Sequence, residues 1–344
     1  MSAPVPNRRD VLTGRALRAQ VEVAQEALAA AVLDGPETPR GGPSVRLAVR
    51  AMGTEFGVLL NPGPAAQITP ASEALDLVAA LERQLTVYRD DSEVSRLNAT
   101  AAGGPVAVER NLFDLLSQCE ELTRITEGAF DAATHAQIAL WQRCRREDRL
   151  PTDDEVADAL ARSGMRHVRL DPVNRTVAFD RPGVGFNFGA IGKGYALDRC
   201  AELLGHGPFS RDRQGSLDAL PSVAANDDSP LTAHHSPPSS FCLHGGHSSV
   251  LARGDHNGTG GWPVGIGNPL FTSRRLGTIL LKDRALGTSG SNIQFYRHGG
   301  KRYGHILDPR TARPTGELLS VTVVAPTAAI ADALSTAFFV LGVE

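Results

Sequence analysis

The chain has 344 residues, 42% of them hydrophobic and 21% charged, enough to bury a sizeable core in one large domain or two ordinary ones. Its net charge of -3 gives no basic footprint for nucleic acid or an anionic membrane surface, and no membrane span is expected. Cys119, Cys144, Cys200 and Cys242 lie far apart with no CxxC pair, which argues against a zinc site or a dense disulfide framework and predicts free thiols.

At the N-terminus, Asn7-Arg8-Arg9-Asp10-Val11-Leu12-Thr13 has the form of a degenerate twin-arginine export signal. Arg15, Arg18, Glu22 and Glu26 interrupt the apolar core that such a signal needs. Residues 1–44 therefore read as an extension, partly helical or disordered, and a cytoplasmic location is favoured. Residues 45 to 60 alternate apolar and polar positions around Met52-Gly53-Thr54, which predicts two strand segments meeting at a tight, ligand-accessible bend.

A helix is expected from about Ala71 to Val87, with Leu75, Val78, Ala79, Leu81 and Leu85 at helical spacing and Tyr88 at its exit. Further helices are expected at 111–126, 131–144 and 153–163, then short strands at 167–170 and 176–179. Between about 205 and 240 the composition turns to Ser, Pro, Asp, His and Gly, which predicts a low-complexity insertion. Its adjacent His234 and His235 lack a partner ligand nearby in sequence and read as a solvated loop. Strands follow near 241–243, 249–253 and 263–266, in pairs from 276 to 304, and at 319–325. A helix from about Thr327 to Leu341 closes the chain.

Three segments carry candidate chemistry. Gly189-Ala190-Ile191-Gly192-Lys193-Gly194 opens a helix, where unpaired N–H groups and a lysine in the first turn suit a phosphate. Asp332 and Thr336 stand four apart on the apolar closing helix and so share one face, either as ligands or as a cap and a back-bonded hydroxyl. His305, in Gly304-His305-Ile306-Leu307-Asp308-Pro309-Arg310-Thr311, reads as a general base or as a structural histidine.

Together with Ala51-Met52-Gly53-Thr54, Val87-Tyr88-Arg89-Asp90-Asp91-Ser92, Gly128-Ala129-Phe130-Asp131 and Leu286-Gly287-Thr288-Ser289-Gly290, these segments resemble the ApbE family of FAD:protein FMN transferases in order and spacing, over roughly residues 45 to 344. The resemblance implies one α+β domain with helices packed around mixed sheets, T-fold-like, and an active-site cleft between them. It implies a Mg²⁺ ion held by Asp332, Thr336 and the Ala190 carbonyl, and FAD as substrate bound by Met52, Tyr88, Ala129, Phe130, Asp131, Asn187, Lys193 and Thr288. Lys193 and His305 become the catalytic pair, and the acceptor becomes a Ser or Thr hydroxyl of a partner protein, with release of AMP. Hydrolysis of FAD to FMN and AMP, or FAD binding without turnover, are the alternatives. The chain carries no aspartate-led Ser/Thr-Gly-Ala segment of its own, so self-modification is not expected. Asn187 stands where the family usually has aspartate, His247 where an acidic or small residue is commoner, and Ala312 where glycine is usual. Ala312 would be strained if its turn needs a positive φ.

Overall fold

The computed structural model describes residues 42–205, 238–271, 273–290, 295–316 and 318–343. The export-like segment, nearly all of the extension and most of the expected insertion lie outside the described residues. The chain enters through β1 (Val45–Ala51) and β2 (Thr54–Leu60), then α1 (Ile68–Leu85), α2 (Glu93–Thr100), β3 (Val106–Ala107), α3 (Arg110–Ile125), α4 (His135–Arg146) and α5 (Asp153–Ala161). Strands β4 (Val168–Asp171) and β5 (Thr176–Phe179) lead to α6 (Gly192–Leu203). Next come β6 (Phe241–Gly245), β7 (Ser249–Arg253), β8 (Trp262–Gly267), β9 (Arg275–Leu281), β10 (Arg284–Gly290), β11 (Phe295–His298) and β12 (Lys301–Gly304). The last elements are β13 (Leu307–Asp308), β14 (Arg313–Pro314), β15 (Ser320–Ala325) and α7 (Ala328–Leu341).

The frame is a six-stranded sheet in the order β1-β2-β6-β7-β10-β15, with α1, α6 and α7 packed against it. The α+β class, with several sheets and helices packed on them, is as expected. Every pairing recorded among the described strands is antiparallel, because hairpins join β1 to β2 and β6 to β7 while the other neighbours return from helices or long excursions in opposing directions. A smaller sheet, β3-β5-β4, lies apart, and the β8-β9 hairpin packs Trp262 and Leu281 against Cys242, Ala252 and Leu286 of the main sheet.

Local chemistry explains the helices. In α1 the buried Ala71, Ala74, Leu75, Val78, Leu81 and Leu85 form one stripe. Helix α2, absent from the sequence reading, is too short to show a period. It starts because the Ser92 hydroxyl accepts from the Ser95 N–H at 2.9 Å. Helix α7 is rich in alanine because it is squeezed from two sides. A Cβ on Gly194 of α6 would fall 2.1 Å from the Ala328 carbonyl oxygen, and one on Gly287 of β10 would fall 2.5 Å from the Ala331 carbonyl. The missing side chains let backbone meet backbone. All four cysteines are buried and free. Among the described residues no helix is long and apolar enough to cross a membrane.

Candidate active site

The close approach of α6, α7 and β10 places Asp332 at the first turn of α6. The carboxylate is 6% exposed, and its Oδ2 accepts the Gly194 N–H at 2.8 Å. The fully buried Ser249 hydroxyl on β7 lies 2.8 and 2.9 Å from the two carboxylate oxygens. Burial pushes the Asp332 carboxyl up to about 6, against the nearby Lys193 charge and these two donors. Ser249 was not singled out from the sequence, and no local signal marks it, since a serine opening a strand has many uses.

One turn along α7, the Thr336 hydroxyl donates to the Asp332 carbonyl at 3.1 Å and lies 3.1 Å from the Ser289 hydroxyl, which also meets Ser335 at 2.9 Å. Thr288, expected at the ligand, lies on the other side of its strand. Side chains alternate along a strand, so Gly287 and Ser289 of β10 face α7 while Thr288 points to the opposite face. Its hydroxyl meets Thr322 at 3.0 Å and its N–H donates to the Ser248 carbonyl at 2.7 Å. Ser289 is the hydroxyl of that segment which stands beside Thr336.

Asn187 lies on the approach to α6. Its N–H donates to the Ala132 carbonyl at 2.8 Å, while its Oδ1 accepts the Gly189 N–H at 2.9 Å and shapes the turn before the half-buried Ala190. That backbone bond links the glycine-rich segment to the second group of motif residues. There Asp131 turns inward, its Oδ1 accepting from Ala133 N–H at 2.7 Å and its Oδ2 from Met165 N–H at 2.9 Å. Burial raises its carboxyl despite both donors. Ala129 and Phe130, at 0% and 1% exposure, belong to the core. The side chains expected to line a ligand pocket at 129 and 130 therefore face inward, and their N–H groups are taken up by the Thr126 carbonyl and hydroxyl.

Met52 and Gly53 form a two-residue hairpin turn with φ of 50° and 72°. Methionine rarely adopts such a φ; here the Met52 N–H donates to Glu82 Oε1 at 2.7 Å, which ties the turn to α1. Beside it a hollow of about 260 Å³ is lined by Arg46, Thr54, Glu55, His244, Gly246 and His247. Tyr88 is 75% exposed, and its hydroxyl accepts from Gln142 Nε2 at 2.9 Å. A wider hollow, about 580 Å³, lies over α3 between Ser117, Arg124 and Arg166 and contains none of the candidate site residues. Polar chemistry, rather than the size of a hollow, marks the site.

His305 is exposed at the end of β12, in a segment that closes through the β13-β14 pair. Two side chains of α4 hold this segment: Gln137 Nε2 donates to the Pro309 carbonyl at 2.9 Å, and Trp141 Nε1 donates to the Ala312 carbonyl at 2.7 Å. Ala312 has φ 53°, so the turn does use the left-handed region in which alanine is strained.

Among the described residues no cluster of three His, Cys, Asp or Glu side chains is placed to hold a metal. The set of oxygens at Asp332 is of a different kind, one carboxylate with the Ser249 hydroxyl beside it and the Thr336 hydroxyl one turn along α7. It fits a hard cation completed by water and phosphate. A buried carboxyl raised to about 6 is also under-compensated by Lys193, and a cation beside it would offset the cost of its charge.

The model of the ApbE family matches residues 52–209 and 239–344. A FAD:protein FMN transferase of Treponema pallidum is 31% identical over 294 residues, 82% of this chain and 74% of that protein. One from Vibrio cholerae is 28% identical over 319 residues, 91% of this chain and 85% of that protein. Among solved structures, the ApbE protein of Thermotoga maritima superposes with a TM-score of 0.72 at 26% identity, covering 87% of each chain. The flavin transferase ApbE of Vibrio cholerae gives 0.68 at 27% identity, covering 88% of this chain and 89% of the other.

Proposed function

Because this chain belongs to the ApbE family, we propose that it is a transferase that moves FMN from FAD to a Ser or Thr hydroxyl of an acceptor protein and releases AMP. The observation that carries this reading is the meeting of Asp332 with the first turn of α6, where the Gly194 N–H donates to the carboxylate and the Lys193 charge lies close by. A pyrophosphate satisfies both sides of that meeting. Lys193 and the helix start hold its oxygens, while Asp332, Thr336 and the Ala190 carbonyl are the oxygen donors for Mg²⁺. When bound, Mg²⁺ supplies neutralisation of the pyrophosphate charge.

In the transfer, the acceptor oxygen attacks the FMN phosphorus, the bond from that phosphorus to the bridging oxygen breaks, and AMP leaves with the bonding electrons. His305 takes the hydroxyl proton, and its exposed position suits a base that must meet a second protein. Lys193 holds the charge that grows on the leaving phosphate. Met52, Tyr88 and Asn187 serve the flavin and ribityl portions, with Ala129, Phe130 and Asp131 contributing through the backbone they order.

The test is incubation of the pure protein with FAD and Mg²⁺, with and without an acceptor protein. AMP formed only with the acceptor, alongside covalent flavin on that protein, is the expected result. AMP without acceptor would instead identify a hydrolase, and bound flavin without AMP a binding protein.

A further inference from the structure

Asp198 lies on α6 beyond the glycine-rich turn and takes no part in the chemistry above. It is buried, and its two oxygens each accept one N–H from the first turn of α7: Ala328 to Oδ1 and Ala329 to Oδ2, both at 2.8 Å. These are donors that a helix start leaves unpaired, and a carboxylate is favoured there by the helix dipole. Ordinary capping of α7 is already present, because the Thr327 hydroxyl accepts from the Ile330 N–H at 3.3 Å. Asp198 is therefore a second cap, delivered by a different helix.

That difference gives it a further role. Helix α7 meets α6 at successive points. Asp198 grips Ala328 and Ala329, Gly194 lies against the Ala328 carbonyl with no room for a Cβ, and the Gly194 N–H reaches Asp332. We propose that Asp198 is a positioning residue of the active site: by gripping the start of α7 from α6, it sets the register in which Asp332 and Thr336 stand over the phosphate-binding turn. A shift of α7 along its axis would break the Asp332 contact to Gly194, since both helices are rigid over one turn. Burial raises the Asp198 carboxyl to about 7, opposed by its two backbone donors and by Arg253, so the charged clamp is maintained at a cost that Thr327 alone would avoid.

The inference rests on the proposed reading of the site, and its test separates the two. Mg²⁺ is titrated calorimetrically into the full chain with saturating FAD, and thermal unfolding is followed in parallel. Asp198→Asn keeps the shape but turns an amide N–H toward one donor. Loss of one charge-assisted bond is expected to weaken Mg²⁺ binding about tenfold, with turnover at saturating Mg²⁺ changed less than about threefold. Thr327→Ala lowers the stability of the same helix and is expected to leave Mg²⁺ affinity within about twofold. If Asp198→Asn does not fold, Asp198→Glu, which keeps the charge and lengthens the tether, is expected to show the same weakening. Unchanged Mg²⁺ affinity in the Asp198 variant, or an equal loss in Thr327→Ala, would overturn the positioning role alone. Unsubstituted protein that binds no Mg²⁺ and releases no AMP would overturn the reading of the site and this inference with it.

Discussion

Asp332 is held by a helix start, a strand serine and a glycine-thin packing interface, whereas the segment bearing His305 hangs from two side-chain donors on α4 and is closed by a two-residue strand pair. In the first region the partners, a backbone N–H and a short serine side chain, sit on regular elements, so position is fixed by the fold itself. In the second the chain is irregular, and beside those two hydrogen bonds it is joined by the Arg313–Asp153 ion pair and the buried Ala312 methyl. The contrast matches a division of labour. Charge has to be met by preorganised groups, while the groups that receive an acceptor protein can adjust to it.

The largest effect should come from the rigid region. Asp332→Ala removes the only carboxylate of the donor set and should lower Mg²⁺-dependent AMP release at least about 100-fold. Full activity of the variant at limiting Mg²⁺ would sink the assignment. Gly194→Ala comes next, because its new methyl meets backbone rather than a movable side chain. A destabilisation at or above about 3 kcal/mol is expected in denaturant unfolding, together with weakened Mg²⁺ binding. An alanine variant as stable as the parent would show that α6 and α7 are not so tightly joined.

The adjustable region should respond differently. Trp141→Phe leaves the Ala312 carbonyl without its donor, at a cost of about 1–3 kcal/mol. Turnover should fall while Mg²⁺ affinity stays unchanged, and a parallel loss of both would mean that the two regions are one unit. The pH dependence should also separate them. Burial raises Asp332 to about 6 and Asp198 to about 7, from about 3.9 in an unfolded chain. The folded state then holds more protons than the unfolded between those values, so metal-free stability falls as pH rises from about 4 to 7. Thermal unfolding across that range should show the decline, and Asp332→Asn should flatten it. A profile that rises through this window in the metal-free protein would contradict the buried charge.

The smallest effect is expected at Ala312. Glycine there would relieve a left-handed alanine by about 1 kcal/mol and forfeit a buried methyl of about 0.8 kcal/mol. Ala312→Gly should therefore leave the unfolding midpoint almost unmoved. A large stabilisation would show that strain dominates packing at this turn.

Much of the fold was legible because it is written locally. The stripe in α1, the hairpin at Met52-Gly53, the strands at 176–179 and 249–253, and the pairing of Asp332 with Thr336 on one face all follow from a repeat or a turn within a few residues. The membership of the family was equally readable, since its motifs are short runs of sequence. Helix α2 escaped because eight residues under a serine cap leave too little period to see.

What the tertiary structure alone decided is which distant groups meet. Ser249 reaches Asp332 across 83 positions and Asp198 reaches Ala328 across 130, and nothing in either neighbourhood announces the partner. The choice of Ser289 over Thr288 depends on which face of β10 is covered by α7, and the inward turn of Asp131 on where Met165 comes to rest. Sequence periodicity tells a side chain which neighbours share its face. Only the packing of whole elements, driven by burial and limited by how closely two backbones can approach at Gly194 and Gly287, determines what stands opposite.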